Sequence, residues 1–215
     1  MPSTKVYQTP WYTLQVALKY VIGIDEAGRG PLAGPVSVGA VLLPFRFNKR
    51  AFKGIKDSKQ LTLDQREKWY TFLQKEEQKG SLKYAVSFSD ASVIDRRGIV
   101  PAIRQALARC LHKLNADPSE CLILLDGSLK APPEFTFQKT IIRGDETEVP
   151  ISLASVAAKV ERDRRMVRLA KRYPAYKFDL HKGYGTLTHR TLIRKLGLCD
   201  LHRRTFIHLE AESGR

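Results

Sequence analysis

This chain is poor in the residues that build covalent or soft-metal scaffolds. Only three of its 215 residues are cysteine, and Cys110, Cys121 and Cys199 are odd in number and far apart. There is no Cys-x-x-Cys pair and the five histidines follow no ligand spacing, which argues against a zinc centre and a disulfide framework. The thiols read as buried or incidental. Long apolar runs are missing as well, so no segment suits a bilayer span. The opening Met-Pro-Ser-Thr-Lys-Val-Tyr-Gln lacks the apolar stretch of a signal peptide, making the cytoplasm the expected compartment, with no membrane partner. Internal repeats and low-complexity linkers are absent, and monomer is the default state.

Negative charge is the other scarcity. Twenty-two acidic residues face 37 basic ones, a formal charge of +15. That excess is the electrostatic footprint of a nucleic-acid binder, although basic enzymes and ribosomal proteins share it. The places where carboxylates do occur therefore carry information.

The apolar runs are short and separated by helical patterns. Strands are expected at 20–25, 36–43, 82–89, 121–125 and 135–143, and helices at 63–79, from 89 or 90 to 114 with an interruption near Gly98 and Pro101, and at 152–173. This alternation predicts an α/β fold, a mixed β-sheet flanked by helices. Residues 1–173 would form the catalytic unit, and 174–215 a C-terminal helical extension laid against it.

Four carboxylates stand out. Val21-Ile22-Gly23-Ile24 leads into Asp25 and Glu26, and Gly28-Arg29-Gly30-Pro31 follows at once. Neighbouring side chains of a strand diverge, so an immediate turn is expected to bring this pair to one edge. Asp126 repeats the design at the end of Leu122-Ile123-Leu124-Leu125. It suits a site beyond the carboxyl ends of strands, or a simple Asp-Gly turn. On the helix beginning at Ser152, Asp163 shares a face with Ser152, Val156, Met166, Val167 and Ala170, opposite Arg164, Arg165, Arg168, Lys171 and Arg172. A carboxylate on the packed face needs a counter-charge: Lys159 one turn earlier, or a cation shared with the other three. Oxygen ligands alone favour Mg²⁺ or Mn²⁺, and two such ions suit in-line displacement at a phosphodiester.

Three further features suit nucleic acid. Asp57-Ser58-Lys59 offers a hydroxyl and an ammonium to a phosphate, or forms a solvated turn. Tyr184, within Lys182-Gly183-Tyr184-Gly185-Thr186, suits stacking on a base or sugar, or is an ordinary half-buried ring. The basic helix face 164–172 is either solvated or attracts phosphate.

Residues 23–36, 57–61, 124–127, 154–166 and 181–186 together closely resemble ribonuclease HII, the bacterial type 2 ribonuclease H, in the family's order. The resemblance implies a ribonuclease H-like fold and endonucleolytic cleavage of RNA in RNA/DNA hybrids. It extends to cutting 5′ of single ribonucleotides embedded in duplex DNA, leaving 3′-hydroxyl and 5′-phosphate ends. It implies that Asp25, Glu26, Asp126 and Asp163 are the metal-binding catalytic carboxylates, that the backbone of Gly28-Arg29-Gly30 senses the ribose 2′-hydroxyl, that Tyr184 reads the RNA–DNA junction, and that Ser58 and Lys59 lie near substrate phosphates. The chain departs from the family pattern at Gly98, where asparagine is usual, and at Arg143, where lysine is common. Arg29, where the type 3 relatives tend to carry lysine, and the 24 residues before Asp25 favour type 2. A protein that holds RNA/DNA hybrids without cutting them is the rival reading, and the four carboxylates facing phosphates argue against it.

Overall fold

The computed structural model describes residues 18–55 and 58–207, so Asp57 and the last eight residues lie outside the described chain. Five strands, β1 (Tyr20–Ala27), β2 (Val36–Pro44), β3 (Lys83–Ser89), β4 (Cys121–Asp126) and β5 (Gln138–Ile141), form one mixed sheet in the order β3-β2-β1-β4-β5. β2 runs antiparallel to β1 and β3, whereas β1–β4 and β4–β5 are parallel. The two-residue alternation sorts the strands' side chains. Ile22, Ile24, Val38, Ala40, Ile123 and Leu125 enter one core, and Val21, Val41, Leu43 and Leu124 the other.

Helices α2 (Ala91–Arg97) and α3 (Ile99–Leu114) lie on the first core. α3 buries Ala102, Ile103, Ala106, Leu107 and Cys110 at helical spacing. The two helices are separated at Gly98, whose φ of 82° and ψ of 163° suit glycine, while Pro101 falls in the first turn of α3 where its missing N–H is harmless. On the other face lies α1 (Leu63–Gln78), begun by a capping box between Thr62 and Gln65.

Beside α1 runs α5 (Val149–Ala170), preceded by the single turn α4 (Gly144–Thr147). α5 touches the sheet backbone itself: a Cβ at Gly23 would overlap the Pro150 carbonyl group, and one at Gly39 the Ala154 carbonyl oxygen. These two glycines let the helix axis come closer than any side chain would allow.

The structure differs from the sequence expectations in several places. β1 continues through Glu26 to Ala27, which pairs with Ser37, so no turn intervenes to bring the two carboxylates together. β5 spans four residues rather than 135–143, because Phe135 leaves the strand direction to fill the core and Arg143 takes a left-handed φ of 54°. α5 begins three residues early, with Pro150 in its first turn, and ends at Ala170. On α5, Val167 is exposed and Arg162 is fully buried, the reverse of a uniform apolar stripe. The arginines opposite are not merely solvated. Arg164 donates to Glu67 at 2.6 Å and lies 4.6 Å over Tyr70, tying α5 to α1. Arg165 donates to Asp90 at 2.8 Å.

The remaining described chain, including α6 (Phe178–His181) and α7 (Leu187–Leu196), packs on the far end of α5 around Met166, Ala170, Tyr176 and Phe178. Three buried histidines occupy this corner. His181 and His189 stack with centroids 4.2 Å apart, and His189 Nε2 lies 3.2 Å from His202 Nε2. Burial lowers all three pKa values, His189 to about 4 with the His181 and His202 rings adding to the fall.

Two outcomes follow from these packing constraints. Gly39→Ala should lose about 1–3 kcal/mol of stability in urea melts through overpacking. For His189, the unfolded chain takes up a proton near pH 6.5 that the fold resists down to about 4. Its contribution is therefore complete above that range and is lost as the pH falls through it. The melting temperature should drop over this interval, and His189→Gln should flatten the drop.

Candidate active site

The parallel pairing of β1 and β4 builds the centre of the site. Ile24 is level with Leu125, which sets Asp25 beside Asp126 at the carboxyl end of β4 and two residues before that of β1. Both lie on the α5 face, since Gly23 and Leu124, two residues earlier on each strand, contact or pack toward that helix. Glu26 takes the opposite side of its strand. There its carboxylate accepts from Arg29 Nε at 2.8 Å.

Asp25 is the most confined of the four. It is buried, and its Oδ1 accepts from the Glu26 N–H at 2.7 Å. Burial first, then the charges of Glu26 and Asp126, raise its pKa well above the usual carboxylate range, while a hydrogen bond from Ser155 of α5 opposes the rise. Asp126 accepts from the Gly144 N–H at 2.8 Å, the first residue of α4.

Asp163 lies further along α5, half-buried, and accepts from Lys159 Nζ at 2.9 Å. The i,i+4 pairing that the sequence offered as an alternative to a shared cation is therefore formed. Among the described residues no three carboxylate, histidine or cysteine side chains converge closely enough to hold an ion. The geometry explains this: Glu26 is turned to Arg29 and Asp163 to Lys159. The donor set nevertheless fits a hard dication. Its ligands are all carboxylate oxygens, Asp25 is crowded by like charge that a dication would neutralise, and Lys159 already places positive charge beside Asp163.

Gly28-Arg29-Gly30 leaves the end of β1 above two fully buried arginines. Arg162 of α5 lies directly under Gly28, whose φ is 90° and which has no room for a Cβ. It donates to the carbonyls of Pro35 at 2.9 Å and Lys182 at 3.1 Å, and its buried Nη1 has no hydrogen-bond partner among the described residues. Arg203 donates to the carbonyls of Gly28, Arg29 and Gly34 at 2.7, 2.9 and 2.9 Å. Burial and the nearby Arg162 lower its pKa to about 9, so it is a cation at neutral pH.

Tyr184 borders the same group. Its half-exposed ring lies under two cations, with Lys159 Nζ and Arg162 Cζ each 5.5 Å from its centroid. The preceding Gly183 accepts from the N–H groups of Leu32 and Ala33, joining this loop to the chain that follows Gly30. Ser58 is buried with its Oγ 2.8 Å from that of Ser155, which links it through one hydroxyl to Asp25. Lys59 is exposed and faces Asp145 at 3.8 Å.

Sequence reasoning missed Ser155, Arg162 and Arg203. The first two lie inside the quoted 154–166 stretch, where a serine and an arginine on an otherwise apolar face are a signal. Nothing in the spacing of residues 199–207 marks Arg203. A cavity of about 360 Å³, lined by Lys49, Phe52, Glu146 and Val149 among others, contains none of the four carboxylates.

Comparison with known proteins shows which family the chain resembles over most of its length. Residues 22–209 match the sequence model of ribonuclease HII. Ribonuclease HII of Caldicellulosiruptor bescii is 41% identical over 194 residues, covering 90% of this chain and 89% of that protein. The crystal structure of ribonuclease H2 from Pyrococcus horikoshii OT3 superposes with a TM-score of 0.68 at 27% identity, covering 86% of this chain and 93% of that one. Bst-RNase HIII, solved in complex with Mn²⁺, shares the fold with a TM-score of 0.62 at 21% identity, covering 92% of this chain and 69% of that one. With its strand-end aspartates, its glycine-flanked arginine and a match that runs nearly end to end, the chain belongs to the ribonuclease HII family.

Proposed function

We propose that the protein is a divalent-metal-dependent endonuclease that hydrolyses the RNA strand of RNA/DNA hybrids and cuts 5′ of single ribonucleotides in duplex DNA, leaving 3′-hydroxyl and 5′-phosphate ends. The observation that carries this reading is the placing of Asp25 and Asp126 side by side, one residue beyond the last parallel pair, Ile24 with Leu125, in a strongly basic member of the ribonuclease HII family. Asp25, Glu26, Asp126 and Asp163 would hold Mg²⁺ or Mn²⁺, with Asp163 exchanging its Lys159 partner for the ion. When bound, two such ions supply an activated water and a charge-stabilised leaving oxygen.

The chain's own residues do the rest. The exposed Arg29 and Gly30 present backbone to the ribose, whose 2′-hydroxyl separates RNA from DNA. Tyr184 would offer its half-exposed ring to the sugar at the junction, and Ser58 and Lys59 would lie near a substrate phosphate. Residues 1–173 act as the catalytic unit, with the chain from 174 onward helping to hold the duplex. The working state is a cytoplasmic monomer.

Cleavage of a labelled DNA duplex with one ribonucleotide, in Mg²⁺, in Mn²⁺ and in chelator beside an all-DNA control, tests the reading. A metal-dependent cut confined to the ribonucleotide duplex supports it, and tight hybrid binding with no cut under either metal would favour the non-catalytic binder. Asp25→Asn should lower kcat/KM by more than about 100-fold, beyond what loss of an outer partner causes. Tyr184→Ala should weaken cleavage at a single embedded ribonucleotide by about 5- to 100-fold, the range of one stacking contact. Substrate affinity should fall more than about tenfold between roughly 50 and 200 mM salt, and a flat dependence would mean that the basic surface takes no part.

A further inference from the structure

Residues 201–203 lie as a short antiparallel ribbon against residues 32–34. The Gly34 N–H donates to the Leu201 carbonyl at 2.7 Å and the Arg203 N–H to the Leu32 carbonyl at 2.8 Å, with Ala33 opposite His202. This ribbon delivers the Arg203 side chain beneath the Gly28-Arg29-Gly30 loop, where it is fully buried. Its fork grips two successive carbonyls, Gly28 through Nη2 at 2.7 Å and Arg29 through Nη1 at 2.9 Å, and Nε holds Gly34 at 2.9 Å.

The direction of those carbonyls has a consequence for the amides. In a trans peptide the C=O and the following N–H point in opposite directions, and no cis peptide is present among the described residues. With the Gly28 and Arg29 carbonyls drawn down onto Arg203, the N–H groups of Arg29 and Gly30 must point up and outward. Among the described residues neither N–H donates to a protein acceptor. Both residues are exposed. From below, Arg162 blocks any collapse of Gly28. The loop is thereby a rigid two-donor platform with its back fully engaged and its front open.

We propose that Arg203 is the positioning residue that aims the Arg29 and Gly30 amides at the substrate's 2′-hydroxyl, and so sets the enzyme's preference for ribose over deoxyribose. This rests on the proposed ribonuclease reading. A planar guanidinium matches two adjacent carbonyls and a third acceptor at once, whereas an ammonium is a point donor without that fork. A site whose donors are held toward a hydroxyl rejects the analogue that lacks it, because those donors are left unpaired. The ribbon is itself anchored at its far end: Asp95 of α2 accepts from the N–H groups of Arg204 and Thr205 at 3.0 and 3.1 Å and from the Thr205 hydroxyl at 2.7 Å.

The test compares Arg203→Lys and Asp95→Asn with the unaltered protein. Readouts are kcat and KM on a duplex with one ribonucleotide, anisotropy with an uncleavable all-DNA duplex, and thermal melting. Arg203→Lys should lower kcat on the ribonucleotide duplex by about 10- to 100-fold, the range that follows from loosening a positioned group. Affinity for all-DNA should stay within about twofold, since phosphate attraction does not depend on loop aim. Asp95→Asn, remote from the loop, should shift kcat in the same direction by a smaller factor, and it decides the matter if Arg203→Lys does not fold. Unchanged kcat in the folded variants, or losses of kcat that merely parallel losses of all-DNA affinity and melting temperature, would overturn the assignment. If the unaltered protein itself fails to separate ribonucleotide from all-DNA duplexes, the ribonuclease reading falls and takes this assignment with it. A cutting parent matched by Arg203→Lys removes only the role of Arg203.

Discussion

The height of α5 above the sheet is the constraint on which the site depends. Gly23 and Gly39 remove two side chains from the α5 face of β1 and β2, and the helix settles until Pro150 and Ala154 meet strand backbone. From that contact everything further along the helix is placed by its 1.5 Å rise and 100° turn. Ser155 comes down on Asp25, Arg162 slides beneath Gly28, and Asp163 and Lys159 arrive beyond the strand ends. A helix lifted by even one methyl group would lose the hydroxyl contact to Asp25 and open the floor of the loop. Close packing of backbone on backbone thus does the work of aligning functional groups drawn from distant parts of the chain.

Electrostatics explain why so basic a protein keeps these acids. Burial above all, and then the charges of Glu26 and Asp126 beside it, make Asp25 hold its proton more tightly than an ordinary carboxylate. Arg162 and Arg203 are buried against neutral carbonyls, and among the described residues no carboxylate forms an ion pair with either. Glu26 and Asp163 are each held by a neighbouring cation, whereas Asp25 stays crowded by like charge and the two buried arginines face only carbonyls among their hydrogen-bond partners. The cost of burying these groups is offset by the packing around them, and the pattern suits a type 2 ribonuclease H better than an inert scaffold would.

Much of this was legible in the residues. The apolar runs ending in Asp25 and Asp126 were readable because a buried strand and its acid are adjacent in sequence, and α1 and α3 followed from their helical spacing. What escaped reading depends on distance. The continuation of β1 through Glu26 to Ala27 is decided by pairing with Ser37, not by the turn-forming glycines that follow. Phe135 left its expected strand because the core had room for it, and tertiary packing overrode a local pattern. The buried state of Arg162 contradicts the habits of its residue type and is set by carbonyls at Pro35 and Lys182 that no local window contains.

The latch between Arg203 and Gly28 joins residues 175 positions apart. During synthesis the strand-end acids and α5 all emerge before it, so the parts for cleaving a phosphodiester exist before the part that disciplines the loop. The order of the chain places selectivity after reactivity, and a nascent or clipped molecule lacking residues 201–203 would carry its acids under an unlatched loop. On the proposed reading, in which ribose and deoxyribose differ by a single oxygen atom, the integrity of that late segment would decide whether the loop tells them apart.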